Sequence, residues 1–162
     1  MDETRGRTLD TIAVAALVAL WAETLVSLPA LPEMVPTSFG HDGSPQAYGS
    51  RFELLLLPAI GTVMWAIVWL TMRARTMRLN VPFVIPDDRL PLIQPLYFTM
   101  QRMLRVELLV GFVALQAAII DSAKAEELVP GFVGIVLAVI VATIALTTWF
   151  IRRVWTIAKG AS

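Results

Sequence analysis

Four apolar runs alternate with polar connectors along the chain. The runs cover about residues 9–28, 52–72, 103–120 and 129–151. Each is close to the ~20 residues an α-helix needs to cross a hydrocarbon core. The pattern predicts an all-α membrane protein, a single domain over 1–162 built as a four-transmembrane-helix bundle. The fourth run carries no charge over 23 residues and is the cleanest. The second holds Glu53 and Pro58 near its start, and a proline there bends a membrane helix rather than ending it. The third is weaker, because Glu107 and Gln116 sit inside it. The first follows Arg5 and Arg7, an arrangement shared with signal peptides. Its length, the internal Glu23 and the lack of a small-x-small cleavage site before Pro29 favour a retained helix.

Two connectors are long. Residues 29–51 hold the sole histidine, His41, together with Pro29, Pro32, Pro36 and Pro45 and Gly40, Gly43 and Gly49. Prolines fix φ and glycines permit positive φ, so this loop is expected to form a compact cap over one mouth of the bundle. Residues 73–102 begin with Arg73, Arg75 and Arg78, a spacing that suits topology marking and anionic headgroups. Pro82, Pro86, Pro91 and Pro95 argue against a continuous helix there, so helix is expected to resume near Leu96. Placing the N-terminus in the cytoplasm puts eleven Lys and Arg inside, leaving only Arg51 and Lys124 outside. The positive-inside rule therefore predicts N-in/C-in, with 29–51 facing outward and 73–102 cytoplasmic.

Composition agrees with this architecture. The chain is 57% hydrophobic and 16% charged, against 45–50% and about 25% for soluble domains. Thirteen basic and thirteen acidic residues cancel, which argues against a nucleic-acid surface. Cysteine is absent, which removes thiol chemistry and disulfides. Helices in lipid associate through small residues, and three stripes suggest inner seams: Thr11, Ala15, Ala19, Glu23 and Ser27; Glu107, Gly111, Ala114, Ala118 and Asp121; and Gly134, Ala138 and Ala142.

Carboxylates within spans are functional candidates by default. Here Glu23 and Glu53 fall near the outward ends and Glu107 near the inward end, where Arg105, Arg73 and Asp10 are plausible neighbours. The bilayer midplane, where coupled carriers bind their cargo, is left without an acid. The outward set Glu23, Glu53, Arg51, Asp42 and His41 has the chemistry of a metal site. Pairing of Glu23 or Glu53 with Arg51 is the more economical account. No metal, cofactor or catalytic residue is expected, and no nucleophile elbow, phosphate loop or zinc-protease motif appears.

The outward loop also carries a pattern. Leu31-Pro32-x-x-Val35-Pro36-Thr37-x-Phe39 is followed by Gly43-x-Pro45 and by Tyr48-Gly49-Ser50-Arg51, leading into a Leu-rich span. It closely resembles the bacterial integral-membrane domain-of-unknown-function family 1648, also found at the front of immunity proteins against a sporulation-delaying toxin. Asn80-Val-Pro82 is similar to that family's second signature. Two positions depart: Ser38 stands where the family has histidine after Pro-Thr, and Gln46 where it often has Asp. The departure at Ser38 removes any chemistry the family's histidine performs.

The resemblance implies a non-enzymatic protein of the bacterial inner membrane, immunity- or signalling-like, whose partners are the lipid bilayer and a peptide or membrane protein. Alternatives are a small accessory subunit packed against a larger membrane complex, and a small transporter. Tyr48 and Phe39 are expected to anchor the cap at the interface.

Overall fold

An apolar run becomes helix in lipid because every peptide N–H and C=O must find a partner within the segment. The computed structural model describes residues 3–74, 77 and 79–160, so Arg75 and Arg78 lie outside the described residues. The elements are α1 (Glu3–Ser27), β1 (Met34–Phe39), β2 (Pro45–Ser50), α2 (Leu56–Arg73), α3 (Leu90–Ala125) and α4 (Phe132–Ala158). Short 3-10 turns at Leu28–Ala30, Arg51–Leu55 and Asp87–Arg89 join some of them. The chain is mostly helical, and four of its helices are long and apolar enough to cross a membrane.

The main correction concerns the third helix. It begins at Leu90, ahead of both the expected resumption of helix near Leu96 and the apolar run from about 103, and runs for 36 residues, about 54 Å at 1.5 Å per residue. Pro91 falls in its first turn, where the missing N–H is harmless. Pro95 lies inside the helix, and tertiary packing compensates for it. On this stretch Ile93 and Tyr97 pack with Phe150 and Val154 of α4, and Met77, Leu79, Phe83 and Ile85 close over them. The described part of the non-helical segment before α3 thus folds onto the protein. The second motif serves that docking. Pro82 and Phe83 border Trp155, and the Phe83 and Trp155 rings meet edge to face at 4.9 Å.

α3 is the hub, packing against α1, α2 and α4. Its buried residues include Leu109, Gly111, Gln116 and Ala118. The predicted seams are correct only in part. Gly111 and Ala118 are buried, but Ala114 is exposed. On α1 the inward face is Ala13, Ala16, Leu20 and Thr24, while Thr11, Ala15 and Ala19 point outward. On α4 Gly134, Ala138 and Ala142 are all exposed. The reason is that α4 fits its larger side chains against a small residue on α3: a Cβ on Gly111 would come within 2.6 Å of Val139 Cγ2.

The loop 29–51 folds as a β-hairpin, a regular element not among the expectations for it. β1 and β2 pair antiparallel, with Met34 opposite Ser50, Pro36 opposite Tyr48 and Phe39 opposite Pro45. In a two-stranded sheet each strand is an edge, so a proline can turn its missing donor outward. Register irregularities fall between Pro36 and Ser38 and between Ser38 and Phe39, bending the hairpin as bulges do.

Candidate functional site: the cavity beneath the hairpin

The Tyr48-Gly49-Ser50-Arg51 motif is the hinge between hairpin and bundle, and each of its last three residues has a physical task. Ser50 caps the following turn. Its hydroxyl accepts from the Phe52 N–H, and its own N–H donates to Glu53 Oε1 at 3.2 Å. Gly49 must lack a side chain, because a Cβ would collide with the Glu53 carboxylate and lie 2.8 Å from Thr37 Cγ2. Arg51 donates from its guanidinium to the Leu31 carbonyl at 3.0 Å, and from its backbone N–H to Glu33 at 3.1 Å. These bonds fold the strand ends back over the helix ends.

Underneath, Leu31, Val35, Leu54, Ile120 and Ala123 form a small buried core. A third tether joins the hairpin tip to the other side of the bundle. There the Leu128 N–H donates to the Gly43 carbonyl at 3.1 Å. Gly43 adopts φ +81°, which a side chain would strain. Ser122 holds the α3–α4 connection by accepting from the Val129 N–H at 3.1 Å.

Hairpin and helix ends enclose a cavity of about 460 Å³, walled by residues such as Val35, Phe39, Leu57, Ile119, Leu128 and Phe132. Most of this lining is apolar, with Thr37, Ser38, Glu53, Gln116 and Ser122 as polar exceptions. Gln116 is fully buried, and its Nε2 donates to Thr24 Oγ1 at 2.9 Å and to the Leu54 carbonyl at 3.1 Å. Its Oε1 is buried without a partner. A buried acceptor left unpaired in an apolar pocket is costly, and it offers an occupant one directional contact. Sequence reading treated Gln116 only as a weakness in the third run. The available signal was that it and Thr24 are uncharged polar groups inside predominantly apolar spans.

The remaining predicted residues divide clearly. Val35, Pro36, Thr37, Phe39 and Glu53 line the cavity, whereas Pro32 and Tyr48 are exposed on the hairpin. The outward charged set does not assemble. Asp42 accepts from the Ser44 N–H and hydroxyl, and these bonds hold its carboxyl below the usual value. His41 is exposed at the tip. Among the described residues, no three His, Asp or Glu side chains converge to hold a metal ion.

Neither Glu23 nor Glu53 pairs with Arg51, because the Leu31 carbonyl takes the guanidinium and the Ser50 N–H takes Glu53. Glu23 instead senses Asp121 and Lys124 of α3, and its Oε2 is buried without a partner. Glu107 accepts from the Thr143 hydroxyl at 2.6 Å, joining α3 to α4. Asp10 is the acid that pairs with Arg102 and Arg105.

Fold and site thus define a helical protein with four candidate membrane spans and a hairpin-covered apolar cavity at one end. Residues 14–62, from within α1 through the hairpin into α2, match a family described as a domain of unknown function (DUF1648). An uncharacterized protein of Archaeoglobus fulgidus is 39% identical over 75 residues. That similarity covers 46% of this chain and 41% of the archaeal protein, so the matched part is less than half of either. No solved structure matches the chain.

Proposed function

We propose that this is a non-enzymatic multi-pass protein of a prokaryotic cytoplasmic membrane, N-in/C-in, whose outward hairpin caps a receptor cavity for the apolar part of a peptide. The observation that carries the reading is the Gln116 carbonyl, buried and unpaired beside a mostly apolar cavity. An apolar side chain would fill the chamber, and a peptide N–H would satisfy the acceptor. Such a site suits an immunity- or signalling-like role, in which the captured peptide is kept from the bilayer or reported across it. The hairpin's three tethers make it a lid that can respond to occupancy.

A second reading is an accessory subunit. The small residues Ala15 and Ala19 of α1 and Gly134, Ala138 and Ala142 of α4 face outward, and small faces allow close approach by another helix.

Photo-crosslinking in living cells separates the two readings. A benzophenone amino acid at Ile119, in the cavity wall, is expected to yield a peptide adduct. The same probe at Ala138 is expected to yield lipid adducts. Protein adducts from Ala138 and none beyond lipid from Ile119 would favour the subunit, and lipid alone from both sites would sink the receptor reading.

A further inference from the structure

A second cavity lies at the opposite end of the bundle, between α1, α2 and the middle of α3. Its volume is about 610 Å³, and its lining includes Asp10, Trp65, Arg73, Arg102, Arg105 and Phe98. Three arginines and one carboxylate therefore line it, and Arg102 and Arg105 are the two that meet the carboxylate. Arg105 is only 3% exposed, although arginine is seldom buried without full compensation. Asp10 supplies part of that compensation, bonding Arg105 directly and lying 3.4 Å from Arg102 Nε.

Three buried donors lack a hydrogen bond, although Arg102 Nε keeps its ion pair with Asp10. They are Arg102 Nε, Arg105 Nε and Trp65 Nε1, and the last two are the ones whose own atoms make neither a hydrogen bond nor an ion pair. All three residues line the same cavity. Unpaired buried donors on charged groups are more costly than neutral ones, and the excess of two positive charges identifies the missing partner as an anion. A neutral acceptor would satisfy the donors but leave the charge. Arginine donors lining one cavity suit the oxygens of a phosphate.

The surroundings place such a group at a membrane interface. Trp65 and Trp69 stack with ring centroids 6.2 Å apart, and Arg73 lies over the Trp69 face at 5.2 Å. Tryptophan favours the headgroup level of a bilayer. We propose that this cavity is a phosphate-binding site, built by Arg102, Arg105 and the Trp65 indole. Its occupant is either an anionic phospholipid headgroup or a soluble phosphate. The site is independent of the receptor reading and of which way the chain points.

The test uses the full chain in nanodiscs. In discs of phosphatidylcholine with one fifth phosphatidylglycerol, native mass spectrometry is expected to find one phosphatidylglycerol retained, and thermal stability to rise relative to pure phosphatidylcholine. Arg102→Gln is expected to weaken that retention at least tenfold. Trp65→Phe, which removes only an unpaired donor and keeps a ring, is expected to weaken it severalfold while leaving the lipid-free protein folded. The double variant Arg152→Gln/Arg153→Gln, on the exposed end of α4, controls for general attraction to an anionic bilayer and should bind like the parent.

Inorganic phosphate added to pure phosphatidylcholine discs distinguishes the sources. Stabilisation by millimolar phosphate with no phosphatidylglycerol preference assigns the site to a soluble phosphate. The reverse assigns it to the lipid. The proposal is overturned if neither probe binds, or if both cavity variants bind either probe as well as the parent does.

Discussion

Gly49→Ala tests whether the hairpin is held over the cavity as described. The substitution is conformationally mild but sterically severe, because the new methyl meets the Glu53 carboxyl carbon and Thr37 Cγ2, each at 2.8 Å. Carbon atoms prefer about 3.5–4.0 Å, so both neighbours must retreat. Moving Glu53 breaks its bond to the Ser50 N–H, and losing such a cap costs about 1 kcal/mol. Overpacking against Thr37 adds about 1–3 kcal/mol. The stiffer unfolded chain returns about 0.4–1 kcal/mol. The net expectation is about 2 kcal/mol against the closed hairpin, or roughly a 30-fold rise in opening at 1.4 kcal/mol per decade.

Native-state hydrogen exchange reads this opening directly. The probes are the Arg51 N–H, bonded to Glu33, and the Leu128 N–H, bonded to Gly43. Both are expected to exchange about 30-fold faster. In a Glu53→Ala/Thr37→Ser background both obstacles are gone, and adding Gly49→Ala should change exchange by less than about twofold, the range of ordinary surface substitutions. Equal acceleration in both backgrounds, or none in either, would refute the close approach at Gly49 and with it the account of the motif.

Three further outcomes are expected. Gly111→Ala should destabilise the bundle by roughly 1 kcal/mol, overpacking against the stiff Val139 being partly offset by better helix propensity. Val139→Ala should restore it in detergent unfolding titrations, and a Gly111→Ala protein as stable as the parent would remove the α3–α4 contact. The hairpin tip should loosen in acid. Because its Ser44 bonds lower the Asp42 pKa below 3.8, the turn's contribution is complete above that value and is lost as pH falls through the depressed one. Exchange at the Gly40 N–H, bonded to Ser44, should therefore accelerate in acid in the parent but not in Asp42→Asn. Finally, the chain has no cysteine, so His41→Cys and Thr156→Cys give clean topology reporters. A membrane-impermeant maleimide applied to intact cells should label the first alone, and the opposite pattern would invert the proposed orientation.

Most of the motif was legible as a pattern, but its purpose was not. Pro, Gly and Ser at 36, 43, 45, 49 and 50 signalled a structured connector, yet prolines within 34–50 gave no hint of strands. A hairpin tolerates them because both of its strands are edges and can face each missing donor outward. Arg51 read as a charge in search of a carboxylate. The carbonyl of Leu31, twenty residues away, takes it instead, and no local rule identifies that partner.

The spans themselves were determined by sequence, because crossing a membrane depends on the apolar content of about twenty consecutive residues, which is a local property. Which face of each helix turns inward depends on its neighbours. The first helix has alanines at 13, 15, 16, 19 and 22, so several small faces compete on equal terms. Only contact with α3 selects Ala13 and Ala16. The same holds for the chemistry. Gln116 and Arg105 are isolated polar letters in the chain, and they become parts of sites only when packing buries them beside cavities and leaves specific atoms without partners.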